Sequence, residues 1–233
     1  MKISPHNASF KNPNGFIVLE GVNGAGKTTL QKAIASFLAS HGVDVVTTRE
    51  PGATPAGQAI RSLVLTPRED KLSAEAELLL FAADRAEHVA KLIRPTLARG
   101  AAVISDRYLY STVAFQGYGR GLNRQTIDSL NTIASGDTLP DFVVLLDLDA
   151  QTGLARTQGR AAPDSDAMEN EAIDFHNRIR MGFLEIAERS SVPFIVIDAS
   201  QAPDAIFAEL RPTLEGWLDA FKERLGTPRS LGK

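Results

Sequence analysis

Short apolar runs alternate along the chain with longer stretches in which apolar positions return every three or four residues. The first run, Phe16-Ile17-Val18-Leu19, is too short for a helix and suits a buried strand. The stretch 29–40 carries Leu30, Ile34, Phe37 and Leu38 at helical spacing, and Gly42 ends it. A second strand, short and β-branched, is predicted over 43–48, and Arg49-Glu50-Pro51-Gly52 breaks it. A helix follows over about 55–65. Ser73 is placed to cap a long helix from 74 to about 98, closed by Gly100, and Pro95 should kink its last turn or end it early. The third strand is 101–105, followed by helical segments over about 111–117 and 124–134. Strand four is 142–148 and strand five 194–198. Helices separate them, one running over 169–190, and a last helix covers about 204–221. Between 158 and 168 lies a polar stretch with two breakers and no periodicity, which predicts a mobile flap. Apolar strands alternating with helices imply a parallel sheet covered on both faces, an α/β three-layer sandwich with five strands. In such sheets ligands bind beyond the carboxyl ends of the strands.

The sequence between strand one and helix one changes this from a fold to a site. Gly21-Val22-Asn23-Gly24-Ala25-Gly26-Lys27-Thr28 meets every fixed position of the G-x-x-x-x-G-K-[ST] phosphate-binding loop, and it stands at a strand-to-helix turn. A polyphosphate must be wrapped by backbone N–H groups at close range, so inward side chains are excluded and glycines at 21, 24 and 26 leave the space. The helix behind the loop, continuing through Thr29, presents its positive end. Lys27 reaches the terminal phosphates and the Thr28 hydroxyl can bind Mg²⁺. A glycine-rich turn that binds nothing is the plain alternative; the complete motif in the right context argues against it.

Composition narrows the partners. With 233 residues, 43% hydrophobic and 23% charged, the chain can bury a sizeable core. No low-complexity linker interrupts the apolar runs, so one domain over 15–225 is expected, with flexible tails at 1–14 and 226–233. A formal net charge of -3 argues against a nucleic-acid-coating protein and leaves small phosphorylated ligands open. The absence of cysteine excludes disulfides, thiolate metal sites and a cysteine nucleophile, and fits a reducing compartment. No run reaches the roughly 20 apolar residues of a membrane span, and residues 1–14 lack a signal-peptide core. A soluble, cytoplasmic protein is expected.

Reaction type must come from other residues. Asp106-Arg107-Tyr108 ends a strand, so Asp106 can approach the loop metal with a guanidinium beside it; an ordinary strand-end salt bridge is the alternative. Asp147, also at a strand end, competes for the metal. On the long helix Phe81 and Arg85 lie one turn apart on one face, where a ring and a fork of donors can stack a planar base and bond its edge. Plain core for Phe81 and solvated surface for Arg85 is the alternative. His6, His41, His88 and His176 are scattered, and surface or packing roles are expected for them.

Over roughly residues 15–200 the order of these segments resembles the thymidylate kinases of the bacterial type, P-loop nucleoside monophosphate kinases. The matching segments are Glu20 to Thr29, Thr48-Arg49-Glu50-Pro51-Gly52 with Gly57 and Ile60-Arg61, and Leu80-Phe81-Ala82-Ala83-Asp84-Arg85. Further on they are Asp106-Arg107-Tyr108, Ser111-Thr112, Ala114-Phe115-Gln116-Gly117, Pro140-Asp141 and Asp174-Phe175-His176-Asn177-Arg178. The resemblance implies ATP-dependent phosphorylation of dTMP with Mg²⁺, for dTTP synthesis, by a homodimer. It implies that Phe81 stacks on thymine, that Arg85, Gln116 and Ser111 meet the base edge, and that Phe115 lines the sugar region. Arg61 and Arg107 would hold the acceptor monophosphate with Glu50 nearby, and Arg160, with Arg156 as second choice, would come from the flap onto the donor phosphates. The chain departs from the family pattern at Asn23, where an acid is common, at Ala53 and at Ala167. With Gly24 where a basic residue could stand, more weight falls on Arg160. A kinase for another nucleoside monophosphate is the nearest alternative, and a non-catalytic nucleotide switch the alternative of another class.

Overall fold

The computed structural model describes residues 10–158 and 167–226. Strand β1 (Phe16–Gly21) is buried along its whole length, as the apolar run Phe16 to Leu19 requires of a strand covered on both faces, and Glu20 is buried with it. It pairs in parallel with β3 (Ala102–Asp106) on one side and β4 (Phe142–Asp147) on the other. β2 (Val45–Arg49) flanks β3 and β5 (Phe194–Asp198) flanks β4, so the sheet order is β2-β3-β1-β4-β5. The expected five-stranded parallel sheet is therefore present. The register sets Leu19 beside Asp106, Asp106 beside Arg49, and Gly21 beside Leu146, which gathers the chemistry-bearing strand ends at one edge.

Helix α1 (Lys27–Ser40) follows the loop, and α2 (Pro55–Leu65) starts at Thr54, whose hydroxyl accepts from Gly57 N. Ser73 caps α3 (Ala74–His88) as predicted, accepting from Ala76 N. The long helix does not stop at Pro95. It passes through a π turn (Val89–Ile93) into α4 (Arg94–Ala98), with the proline in the first turn of α4, where a missing N–H is tolerated. Next come α5 (Leu109–Thr112), a π segment (Val113–Gly119) and α6 (Arg124–Ser135), capped by Asn123. The remaining helices are α7 (Ala150–Gln158), α8 (Ile173–Arg189) and α9 (Pro203–Gly226). Helix α8 begins later than its predicted start at 169, because Met168 and Glu171 close a turn first. α1 and α9 cover one face of the sheet; α5 and α8 pack on the other.

One carboxylate ties the chain ends to this core. Asp141, just before β4, accepts from the backbone N–H of Asn14, Gly15 and Phe16 and from the Trp217 indole. Trp217 stacks on Phe221 at 4.9 Å between ring centres. The predicted flap and tail segments at 159–166, 1–9 and 227–233 lie outside the described residues.

Candidate active site

A cleft of about 600 Å³ opens where the strands end. One half of it is the loop after β1. Gly24 and Gly26 have φ of 78° and 96°, a left-handed backbone that glycine adopts freely. A Cβ on Gly24 would stand 2.1 Å from the carbonyl oxygen of Gly153 on α7, so no basic residue fits there. Among the described residues no side chain caps α1, and Gly26, Lys27, Thr28 and Thr29 line the cleft together with Asn23 and Gly24. Gly21 and Ala25, also expected in the site, do not line it; Ala25 faces the core. Lys27 Nζ donates to the loop carbonyls of Gly21 (3.1 Å) and Val22 (3.0 Å).

Thr28 Oγ1 donates to Asp106 Oδ2 at 3.1 Å, bringing a hydroxyl and a carboxylate to one point of the cleft. The competing Asp147 is held in a fork by Arg180, at 2.7 and 3.0 Å, and does not line the cleft.

Arg107 joins the two halves. Its φ is 74°, sparsely populated for a residue with a side chain, and is held by Arg107 N to Leu19 O (2.9 Å) and by Ser105 Oγ to Arg107 O (2.7 Å). The turn aims the guanidinium at Gly21 O, Ser111 Oγ and Asn23 Oδ1, over the Phe115 ring at 4.9 Å. Beneath it lies Glu20, wholly buried, which accepts from Tyr108 N, Ser111 N and Ser111 Oγ. Removal from water pushes its carboxyl up to about 7, against the pull of Arg107, Lys27 and these donors.

The other half of the cleft is built on α3. Phe81 is half-buried against the core and lines the cleft, as do Arg61, Ser111, Phe115 and Gln116. Arg61 donates to Pro51 O at 3.0 Å. Arg85 corrects the surface alternative: it is 2% exposed, and donates to Glu50 Oε2 (2.9 Å), Asn131 Oδ1 (2.7 Å), Tyr108 O (3.1 Å) and Thr112 Oγ1 (2.9 Å). It borders the cleft while binding α3 to its neighbours. Glu50 also lines the cleft, yet its other oxygen meets His88 Nδ1 at 3.0 Å, and His88 Nε2 meets Thr48 Oγ1. His88 is thus a packing residue, as expected. Asp84 accepts from Gly52 N, and burial, followed by the charge of Glu50, lifts it to about 6.

Sequence reasoning missed three polar side chains. Glu77 holds the Gln116 amide at 2.8 Å; its signal was its place one turn before Phe81 on the same helix face. Glu20 had the signal of an acid inside an otherwise apolar strand. Gln31, spanning Thr48 O and Ile104 O, had none. Arg160, the flap residue favoured for the donor phosphates, lies outside the described residues. Arg156 lies inside them, and its Nη1 donates to Ala199 O at 2.9 Å.

The thymidylate kinase family model matches residues 19–210. A thymidylate kinase of Thermosynechococcus vestitus is 46% identical over 97% of this chain and 99% of its own length, and one of Desulfovibrio desulfuricans 43% over 87% and 96%. The crystal structure of thymidylate kinase from Ehrlichia chaffeensis matches with a TM-score of 0.70 and 33% identity, covering 85% of this chain and 97% of that one. Likeness of that extent, over a cleft that joins a phosphate loop to Phe81, Arg107 and Gln116, means that this chain belongs to the thymidylate kinase family.

Proposed function

We propose that the chain transfers the γ-phosphoryl group of ATP to dTMP, giving ADP and dTDP, within one kinase unit over 15–225. An oxygen of the acceptor phosphate attacks the γ-phosphorus in line, the bond to the β-bridging oxygen breaks, and no covalent enzyme intermediate forms. Such a transfer needs cations on both anions and exclusion of water. Lys27 and the first amides of α1 serve the donor. Arg107 and Arg61 serve the acceptor phosphate, Phe81 stacks on the base, Gln116, Ser111 and Arg85 border its edge, and Phe115 lines the sugar. Arg160 on the lid is our choice for the charge that develops during transfer.

Mg²⁺ suits the donor set, since Thr28 and Asp106 offer hard oxygens that already meet at 3.1 Å. When bound, the ion would neutralise charge on the β- and γ-phosphates.

The observation that carries this reading is the single cleft holding both the phosphate loop and the Phe81-Arg107-Gln116 group. A coupled assay with ATP against a panel of nucleoside monophosphates tests it: turnover strongest with dTMP is expected. ATP turnover that ignores every monophosphate would overturn it. The likeness to the family also supports a homodimer, for which exposed Leu63, Leu79 and Ile133 on the adjacent helices α2, α3 and α6 are suitable contacts. Light scattering at twice the chain mass is the expected result. None of the described helices is long and apolar enough to cross a membrane, and the cytoplasm, where dTTP is made, is the compartment we assign.

A further inference from the structure

Glu77 sits on α3 one turn before Phe81, and both of its oxygens are engaged. Arg120 donates Nε to Oε1 at 3.2 Å and Nη2 to Oε2 at 3.1 Å, and Gln116 donates Nε2 to Oε1 at 2.8 Å. A carboxylate in a guanidinium fork can only accept hydrogen bonds. The end of the Gln116 amide that faces it must therefore be the NH₂ group. Gln116 is 1% exposed and lines the cleft, and no donor among the described residues reaches its Oε1. The end left for a ligand is thus an acceptor.

We infer that Glu77 is a positioning residue that holds Gln116 with its carbonyl toward the base, selecting pyrimidines with an N3–H over those with an N3 lone pair. Thymine and uracil carry that proton; cytosine presents a lone pair instead. Turning the amide over to suit cytosine would set its oxygen against a buried carboxylate and forfeit a charge-assisted hydrogen bond. Arg120 keeps Glu77 from following the turn. Arg120 is itself anchored by Glu171 at 2.8 Å, and Glu171 also meets Lys71. A buried polar group set for one partner rejects an analogue that leaves it unpaired, which is the strongest discrimination available to a binding site.

The inference rests on the reading of Gln116 as a base-edge residue, and the test separates the two. The wild type and Glu77→Gln are assayed with dTMP and dCMP. An amide at 77 can donate or accept, so Gln116 is free to take either sense. The wild type is expected to favour dTMP strongly. In the variant the ratio of kcat/KM for dTMP to that for dCMP should fall at least about tenfold, chiefly through a lower KM for dCMP. Equal losses on both substrates, with the ratio unchanged, would mean that Glu77 only supports the scaffold and would overturn the inference. A wild type that does not prefer dTMP would instead sink the base-edge reading itself.

A second measurement needs no variant. In the wild type the Gln116 side-chain amide protons should exchange slowly with water before dTMP binds as well as after. Exchange as fast as in an exposed glutamine would show the NH₂ group facing the open cleft and would refute the inference.

Discussion

Replacing Glu20 by glutamine should stabilise the protein at alkaline pH and do almost nothing at acid pH. Glu20 is wholly buried, and burial lifts its carboxyl from 4.5 to about 7 despite Arg107 and Lys27 nearby. Below about pH 4.5 the carboxyl is protonated whether the chain is folded or not, and its favourable contribution is complete. As the pH rises the unfolded chain releases the proton first, so that contribution shrinks, and it is lost above about 7. The gap between 4.5 and about 7, at roughly 1.4 kcal/mol per tenfold change in proton binding, corresponds to about 3 kcal/mol. Glutamine keeps the acceptor that serves the N–H groups of Tyr108 and Ser111, and its NH₂ group can donate to Ser111 Oγ. Urea unfolding of both proteins at pH 4.5, 6 and 8 gives the difference directly. It should rise from near zero to about 3 kcal/mol, and the titration of Asp84, common to both, cancels. A difference independent of pH would refute the argument that Glu20 is held protonated by burial.

Asp106→Asn should cut turnover at saturating substrates by about 100-fold or more, whereas Asp147→Asn should leave kcat within a few-fold and lower stability through the loss of its fork with Arg180. Steady-state kinetics beside thermal unfolding separates the two. Arg85→Ala should cost about 3–5 kcal/mol in denaturant unfolding because it leaves Glu50 buried beside His88 without its guanidinium. Unchanged stability would mean that the cluster carries no load. Asp141→Ala strips the partner from three backbone N–H groups and the Trp217 indole, and should cost at least about 3 kcal/mol while kcat below the unfolding range is retained.

The elements that were legible in the sequence were those governed by near neighbours. β1 and β4 follow from unbroken apolar runs, the start of α3 from Ser73, and the phosphate loop from glycines whose positive φ the turn demands. The errors were at boundaries; the helix over 74–98 is present to its expected end, and what no residue pattern announced is the π turn ahead of Pro95. The cleft residues around α3 were named through family likeness; their spacing alone favoured plain core for Phe81 and exposed surface for Arg85.

The sequence by itself determined the layered parallel sheet, the phosphate-loop turn between β1 and α1 and the strand end that carries Asp106 and Arg107, because periodicity and turn chemistry act over a few residues. Only the tertiary structure decided the state of the buried polar groups. The Glu20 to Ser111 contact spans 91 positions and the Glu77 to Gln116 contact 39, and Arg85 collects partners from three separate segments. Which end of an amide faces the cleft, and whether an arginine is spent on the scaffold, depend on what packing brings opposite it.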